Sequence, residues 1–305
     1  MIYTVTLNPA IDRELVVPEI EFDSVLRATS WQVDFGGKGF NVSRLLLGFD
    51  TPSIALGFVG GESGKFMEYG LNRLGIETDF VWVGGETRTN VSIRSEAQRH
   101  YIKANEPGPT ITPVDVKRLL EKASALAAPG DWWVLAGSLS PGSPADIYHQ
   151  LITVIQPRGS RVILDTSGKA LDLGCQAAPF LCKPNLLEAQ NLTGHSNRPP
   201  LEVAAGILNT GTDNVVISLG KDGAVYSGTQ GSFTVTAPKI QEKNPIGAGD
   251  SMVGGIVWAL QQGLDFEEVV RWGVACGAAT ASLEGTSVAN RQDAQAILDQ
   301  AEIST

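Results

Sequence analysis

Short apolar segments alternate with longer segments of helical periodicity along most of this 305-residue chain. Such alternation indicates β-α-β units, in which a mostly parallel sheet lies between two layers of helices. The predicted strands are residues 2–7, 53–59, 132–137, 161–166, 179–185 and 215–220. The predicted helices between them lie near residues 39–48, 63–74, 113–127, 144–156 and 200–209. Because right-handed crossovers place the connecting loops at the carboxyl ends of the strands, we expect a ligand site there.

The chain becomes helical after residue 246. The pattern predicts helices over residues 247–263, 265–285 and 290–302. The third of these begins at Asn290, a residue type favoured as an N-cap, and Asp293 stands at the capping-box position.

Residues 12–35 and 86–104 interrupt the alternation of strands and helices. Both segments alternate apolar and polar residues without a helical period, which is typical of antiparallel strands with one solvated face. The two segments could pair into a small discontinuous sheet. Its exposed face would carry Val17, Trp31 or Ile93 and would need covering by a substrate or a partner. A lid that also dimerises would meet both needs.

Composition and charge exclude several classes of protein. The formal net charge is −10, and no block of like charges is present, so a global basic patch for nucleic acid is not supported. No apolar stretch reaches the length of about 18 residues that a membrane span needs. The N-terminus lacks the basic and apolar regions of a signal peptide, which favours a cytoplasmic protein. The spacing of the cysteines argues against a disulfide framework or a zinc site. These cysteines are Cys175, Cys182 and Cys276.

The stretch "FGGKGFNVSRLL" at residues 35–46 combines features of an anion site. The adjacent Gly36 and Gly37 let a ligand approach the main chain, and the apolar pattern that follows starts a helix whose first amides favour an anion. Lys38 adds a cation, and Asn41 could hydrogen-bond to a hydroxyl group. A plain helix-start turn is the alternative. The stretch does not match a Walker A loop.

The stretch "NPIGAGDS" at residues 244–251 suggests an anion-binding turn next to a carboxylate. Gly247, Ala248 and Gly249 have almost no side chain, so that successive N–H groups can point into one small space. Asp250 beside them makes sense if it takes a proton from a hydroxyl that attacks a phosphoryl group. The alternative is an aspartate N-cap that follows a glycine turn.

The stretch "KPNLLEAQNL" at residues 183–192 places Asn185 and Glu188 three residues apart, and on a starting helix they share a face. An amide and a carboxylate at this spacing suit a Mg²⁺ ion that is held through water. A capping box explains the same pair equally well.

The stretch "VVISLGKDGAVY" at residues 215–226 is a predicted strand that ends in a glycine-rich turn. The turn could hold a nucleotide phosphate, and a simple hairpin is equally compatible with it.

Taken in order, these stretches resemble the ribokinase-like PfkB sugar kinases over essentially the whole chain. The motifs that carry the resemblance are "TVTLNPAID", "FGGKGFNVSR", "GFVGGESG", "ETRTN", "LAGSLSPG", "KPNLLE", "VISLGKDGA" and "GAGDSMVGG". The opening "TLNPAID", the GGKGxN block and "TRTN" are similar to the branch that acts on phosphorylated ketohexoses. That branch includes 1-phosphofructokinase, tagatose-6-phosphate kinase and the minor 6-phosphofructokinase.

The resemblance implies an α/β protein, a ribokinase-like αβα sandwich with a mostly parallel central sheet and a small β-sheet lid. The kinase domain would comprise residues 1–11, 36–85 and 109–305. The discontinuous lid would comprise residues 12–35 and 86–108, and would serve as the interface of a homodimer. The implied ligands are a phosphosugar, ATP and Mg²⁺. Monovalent-cation activation occurs in the family, and residues 281–287 lie in the corresponding region, although the sequence assigns no ligands.

The resemblance also assigns roles to individual residues. It implies that Asp250 is the catalytic base, with an anion hole at Gly247, Ala248 and Gly249. The implied sugar-binding positions are Asp12, Gly36, Gly37, Lys38, Asn41 and Ser138. Arg88 and Asn90 match lid residues near the phosphorylated end of the substrate, and Arg27 is a candidate from a second subunit. The implied ATP positions are Lys183, Asn185, Ser218, Gly220 and Gly223, with Glu188 as the Mg²⁺ position through water.

Two motifs depart from the family pattern. The usual "GSLP" reads "GSLSPG" at residues 137–142, and the approach to the anion hole reads "KNPIGAGD", in which Pro245 stiffens the chain. Neither departure removes a group that the chemistry needs.

The segments "ETRTNVSI" and "KANEPGPTIT" look most like 1-phosphofructokinases, which phosphorylate fructose 1-phosphate to fructose 1,6-bisphosphate. Tagatose-6-phosphate kinase and 6-phosphofructokinase are the alternatives within the family. A non-catalytic sugar-phosphate sensor would be expected to lose the base or the anion hole, and both are present. An NAD-dependent oxidoreductase would need G-x-G-x-x-G after the first strand, where this chain has "NPAID".

Overall fold

The computed structural model describes residues 1–98 and 100–304. Its strands are β1 (Ile2–Thr6), β2 (Ala10–Val17), β3 (Ser30–Gly36), β4 (Ile54–Gly60), β5 (Glu77–Thr78), β6 (Val81–Val83), β7 (Arg88–Ser95), β8 (Tyr101–Asn105), β9 (Trp132–Ala136), β10 (Arg161–Asp165), β11 (Leu181–Cys182), β12 (Asn214–Ser218), β13 (Ala224–Gly228), β14 (Gly231–Val235) and β15 (Ile303–Ser304). Its α-helices are α1 (Lys38–Leu47), α2 (Gly61–Arg73), α3 (Pro113–Leu126), α4 (Ile147–Ile155), α5 (Gly168–Cys175), α6 (Leu186–Thr193), α7 (Pro200–Leu208), α8 (Ala248–Gln261), α9 (Phe266–Ala281) and α10 (Arg291–Gln295).

The central sheet has the strand order β15-β14-β13-β12-β11-β10-β9-β1-β4-β5, and β6 pairs with the end of β4. The pairs from β12 to β5 are parallel. The pairs from β12 to β15 are antiparallel. Between β12 and β13, a short 3₁₀ turn over Gly220–Asp222 reverses the chain directly. The predicted mostly parallel sheet is therefore confirmed, with an antiparallel extension at one edge.

Strand β9 shows how the sheet is buried on both faces. Trp132 and Val134 join the core under α1, α8 and α9 on one face. Trp133 and Leu135 join the core under α3, α4, α5 and α7 on the other. Successive side chains of a strand point to opposite faces, so a strand covered on both sides reads as a continuous apolar run. This is why "WWVLAG" predicts a buried strand.

The lid sheet, formed by β2, β3, β7 and β8, has the order β3-β2-β7-β8. The pairs β2–β3 and β7–β8 are antiparallel, as predicted, whereas β2 and β7 pair in parallel. The sheet takes in residues 10, 11 and 36, beyond the expected segments. Trp31 is exposed as expected, but the expectation for Val17 is wrong, since its side chain is buried. Val17 is the last residue of β2, and at this end of the strand the chain segments that follow β2 and β7 hydrogen-bond to each other.

Two predicted elements are shorter than expected. The strand predicted at residues 179–185 is limited to Leu181–Cys182, because Pro179 and Pro184 lack the N–H that a ladder needs. The helix predicted at 290–302 ends at Gln295. A 3₁₀ turn and β15 follow, where Arg271 donates hydrogen bonds to the carbonyls of Leu298 and Ala301. The capping box of Asn290 and Asp293 is confirmed.

Other sequence expectations concern the cysteines and the membrane. Cys175, Cys182 and Cys276 are free, buried thiols. Within residues 1–98 and 100–304, every helix is too short or too polar to cross a bilayer.

Helices α8 and α9 pack closely through glycine. A Cβ on Gly255 would lie 2.7 Å from Cys276 Sγ and 2.8 Å from the carbonyl oxygen of Trp272 in α9. We expect Gly255→Ala to lower the free energy of unfolding by about 1–3 kcal/mol, because the clash outweighs the better helix propensity of alanine. Urea unfolding measures the change.

Gly84→Ala is the matched control, because a Cβ on Gly84 meets open space within 4 Å. Equal stability of the two variants would contradict the close packing of α8 on α9.

Candidate active site

Polar side chains follow neighbouring parallel strands of the central sheet at their carboxyl ends. Asn8 follows β1, Ser138 follows β9, and Lys183 follows β11. Asp165 is the last residue of β10, and Ser218 is the last residue of β12. Since these strands are neighbours in the sheet, their ends form one edge, as the alternation of strands and helices predicts.

The N-terminus of α8 is a glycine turn. Gly247 is the N-cap, with a φ of 81°, in the left-handed region that favours glycine. The amide of Ala248 donates to the carbonyl of Pro245 at 3.2 Å. The amides of Gly249 and Asp250 belong to the first turn, which has no acceptors inside the helix. Asp250 is therefore the third residue of α8, and the alternative in which it is the N-cap is wrong.

The N-terminus of α1 approaches the first strands closely. Gly37 is its N-cap, and a Cβ on Gly37 would lie 2.7 Å from Thr6 Cγ2. A Cβ on Gly36 would lie 2.0 Å from Asp12 Oδ2. Both glycines are therefore needed to bring α1 this close to β1 and β2. As in α8, the start of the helix carries no capping side chain from the part of the chain that the structure describes.

Asn41 and Asp250 connect the two helix N-termini. Asn41 Nδ2 donates to Asp250 Oδ2 at 2.7 Å. Burial, and next the nearby charge of Asp165, raise the pKa of Asp250 to about 6, against the opposing effects of Asn41, Lys38 and Lys183. A carboxylate with such a pKa is suited to accept a proton near neutral pH.

Asp165 is buried between two lysines. Lys38 Nζ lies 3.2 Å from both carboxylate oxygens, and Lys183 Nζ lies 3.4 Å from Oδ1. Burial alone would lower the pKa of Lys38, but Asp165, followed by Asp250, raises it overall. A Cβ on Gly249 would lie 4.0 Å from Lys183 Nζ. The ammonium of Lys183 therefore lies beside the free amides of α8, where an anion would bind.

Sequence reasoning missed Asp165. The available signal was an aspartate at the end of the buried run "RVILDT", at the sheet edge where ligands bind.

The lid sheet contributes a second cluster of polar side chains, in addition to the one around Asp165 and Asp250. The register of β2 and β7 pairs Asp12 with Asn90, and Asn90 Nδ2 donates to Asp12 Oδ1 at 2.8 Å. Arg88 Nη2 donates to the carbonyl of Asn8 at 3.0 Å. Several buried polar atoms here have no hydrogen-bond partner among the described residues, namely Asn8 Oδ1, Arg88 Nε and Asn90 Oδ1. Because burying such atoms unpaired is costly, they indicate a polar ligand.

A cavity of about 500 Å³ lies between α8, α9 and the turn after β12. Apolar residues of α9 form one wall, and the turn after β12 contributes polar groups at the opposite end. The wall includes Val274, Gly277, Ala278 and Ala281, and the turn contributes Ser218 and Gly220. Gly223 shapes the hairpin instead, since its Cβ would lie 1.9 Å from the carbonyl oxygen of Val235. The hairpin alternative is confirmed, and its turn also lines this cavity.

Asn185 and Glu188 line a separate cavity of about 540 Å³. They form the capping box of α6: Asn185 Oδ1 accepts from the amide of Glu188, and Glu188 Oε2 accepts from the amide of Asn185, each at 2.8 Å. The described residues contain no group of three or more histidine, cysteine or acidic side chains that could cage a metal. The remaining oxygen, Glu188 Oε1, fits a Mg²⁺ ion that keeps most of its water.

Two further predicted site residues have exposed side chains. Ser138 is exposed on the loop after β9, and Arg27 is exposed in the segment between β2 and β3. The role of Arg27 was expected across a subunit interface, and it stays a prediction.

The profile of the pfkB family carbohydrate kinases matches residues 4–293. The chain belongs to the pfkB family of carbohydrate kinases. It is 35% identical over 304 residues to 1-phosphofructokinase of Borreliella burgdorferi, covering 98% of this chain and 97% of that protein. It is 37% identical over 287 residues to 1-phosphofructokinase of Bacillus subtilis, covering 93% of each.

Solved phosphofructokinase structures have the same fold. Phosphofructokinase-2 from Escherichia coli, in complex with potassium, superposes with a TM-score of 0.92 at 31% identity and 98% coverage of both chains. The same enzyme has been solved as a tetrameric inhibited form. The expected family and the ribokinase-like αβα fold with a separate small sheet are thus confirmed, and the chain is a pfkB-family kinase instead of an oxidoreductase.

The raised pKa of Asp250 predicts a stability effect. The folded protein holds this proton up to about pH 6, whereas the unfolded chain releases it near the ordinary value of 3.8. Stability is therefore lost as the pH rises through this window and is not recovered above it. We expect Asp250→Asn to raise the free energy of unfolding at neutral pH by up to about 3 kcal/mol.

Urea unfolding near pH 4 and at neutral pH measures this effect, and the gain should shrink at the lower pH. Asp213→Asn, which changes an exposed carboxylate, is the control and should leave stability unchanged. Destabilisation by Asp250→Asn at neutral pH would contradict the assignment.

Proposed function

We propose that this kinase transfers the γ-phosphoryl group of ATP to the 6-hydroxyl of fructose 1-phosphate, which gives fructose 1,6-bisphosphate. The observation that carries the proposal is Asp250, a buried carboxylate with a raised pKa at the N-terminus of α8. A carboxylate weakens an anion site but can accept the proton of a hydroxyl that attacks a phosphoryl group. The two relatives named 1-phosphofructokinase support this choice of substrate.

The lid residues would bind the sugar phosphate. Asp12, with Asn90, would bind sugar hydroxyls, and Asn41 would orient the attacking one beside Asp250. Arg88 would bind the existing phosphate, because its guanidinium can make charge-assisted hydrogen bonds and its Nε has no other partner among the described residues. Arg27 from a second copy of the chain would complete this phosphate site.

The nucleotide would bind in the cavity between α8, α9 and the turn after β12. The adenine would occupy the apolar cavity of about 500 Å³. The phosphates would follow the turn after Ser218 toward Lys183 and the N-terminus of α8. Asn185 and Glu188 would hold Mg²⁺ through water. Bound Mg²⁺ supplies positive charge that neutralises the phosphate oxygens.

In the transfer step, the sugar oxygen forms a bond to the γ-phosphorus while the bond from that phosphorus to the β,γ-bridging oxygen breaks, and ADP leaves. Asp250 accepts the proton of the sugar hydroxyl. The amides of Gly249 and Asp250 donate to the transferred group. Lys38 is an implied sugar-binding position, and its contact with Asp165 supports a place for its ammonium beside the transferred group.

The lid would also form the dimer. Its exposed aromatic side chains include Phe22, Trp31 and Tyr101, which are 83%, 71% and 72% exposed. A second copy of this surface would cover such a patch.

We also propose a monovalent cation near residues 281–287, supported by the relative solved with potassium. The three free thiols support a reducing, cytoplasmic location.

The substrate proposal is tested by ADP release with ATP and Mg²⁺. We expect kcat/KM for fructose 1-phosphate to exceed that for tagatose 6-phosphate and fructose 6-phosphate by at least about tenfold, the scale of one well-placed polar contact. A preference for either 6-phosphate would assign the protein to the other members of the branch. No ADP release with any phosphorylated or free sugar would favour a sugar-phosphate sensor.

The assignment of the base is tested by Asp250→Asn. Because the amide cannot accept the proton, we expect turnover to fall at least about 100-fold, the scale of general-base loss, with ATP affinity unchanged. Single-turnover kinetics and ATP titration measure the two effects. Asp213→Asn should behave as the unmodified protein, and turnover within a few-fold in Asp250→Asn would rule out the assignment.

A further inference from the structure

The lid touches the core through a polar contact outside the proposed sugar and nucleotide sites. Thr286, in the loop that follows α9, donates from Oγ1 to Asp34 Oδ2 of β3 at 2.7 Å. Gln32 Nε2 donates to the same oxygen at 2.8 Å. Asp34 and Thr286 are 252 residues apart in sequence, so the contact exists only in the folded protein.

On the lid side, this contact leads to the proposed sugar ligand. Asp34 is directly opposite Asp12 in the register of β2 and β3, so the two side chains share a face of the lid sheet. Arg44 Nη2 lies 4.0 Å from Asp34 Oδ1. Burial lowers the pKa of Arg44, while Asp34 and then Asp12 act in the opposite direction. The guanidinium therefore offsets the repulsion between the two carboxylates, and it couples the charge of Asp34 to that of Asp12.

On the core side, the same loop leads to the anion-binding turn. The carbonyl of Gly285, next to Thr286, accepts from Asn244 Nδ2 at 2.5 Å. Asn244 Oδ1 accepts from the amide of Ile246 at 3.0 Å. Ile246 immediately precedes Gly247, the N-cap of α8. A continuous chain of hydrogen bonds and peptide bonds thus connects Asp34 in the lid with the start of α8.

We propose that the hydrogen bond between Thr286 and Asp34 is a latch that couples the position of the lid to the geometry of the anion-binding turn. The inference rests on the proposed function. With the latch formed, the lid holds Asp12 over the sugar while the loop holds Asn244 and the amides of α8 in place. Binding of the sugar phosphate would thereby complete the anion site, which limits transfer of the phosphoryl group to water. Asp34 and Thr286 are positioning residues in this scheme.

Thr286→Val tests the latch, because it removes the hydroxyl and keeps the shape of the side chain. We expect KM for the sugar phosphate to rise about tenfold, the scale of one hydrogen bond to a charged group. We also expect ADP release to exceed formation of sugar bisphosphate, because water then competes for the phosphoryl group. Thr286→Ser keeps the hydroxyl and should restore both quantities.

A double-mutant cycle with Asp34→Asn tests the contact itself. If the two residues act through one hydrogen bond, the double variant should be no worse than the more affected single variant. Additive losses would overturn the latch. Restoration of Thr286→Val by high KCl would also overturn it, since the loop would then act only through a cation.

Hydrogen exchange tests the coupling without any substrate. We expect Thr286→Val, but not Thr286→Ser, to speed exchange of the amides over residues 243–250. Faster exchange confined to residues 282–289 would overturn the proposal. If the unmodified protein phosphorylates no sugar phosphate, the proposed function fails, and hydrogen exchange still decides whether the latch exists.

Discussion

The hydrogen bond from Asn41 to Asp250 is the contact on which the proposed site depends, because it joins the two helices whose N-termini surround the proposed transfer position. Each partner is held by close packing behind it. Gly36 and Gly37 let α1 approach β1 and β2, and a Cβ on Gly254 of α8 would lie 2.6 Å from Leu45 of α1. Small residues therefore fix the distance between the helices, and that distance places the amide and the carboxylate within hydrogen-bonding range.

The proposed site is suited to anions, although the whole molecule carries a negative net charge. The chain carries a formal net charge of −10, yet its proposed substrates are anions. The protein offsets this locally by pairing Lys38 and Lys183 with the buried Asp165 and by leaving helix amides free. The same burial raises the pKa of Asp250 and makes the charged base costly to the folded state. The charged carboxylate thus lowers the stability of the folded protein at the position where the proposed chemistry needs a proton acceptor.

Much of the fold followed from local patterns, because a strand buried on both faces and a helix buried on one face have different apolar periods. The patterns failed where neighbouring elements decided the outcome. Pro179 and Pro184 shortened β11, and contacts of Arg271 ended the C-terminal helix early. The sequence predicted the antiparallel strands of the lid. The parallel pairing of β2 with β7 depends instead on the direction in which each strand leaves the core.

The sequence by itself determined the glycine turns, the capping boxes at Asn185 and Asn290, and the family, because these depend on residues a few positions apart or on ordered motifs. Tertiary structure decided which motifs meet. Only the folded chain brings Asp165 between two lysines from different loops, or Asp34 against Thr286. Contacts between residues so distant in sequence leave no periodic signal, since each partner is selected by the geometry of the sheet edge and not by its neighbours in the chain.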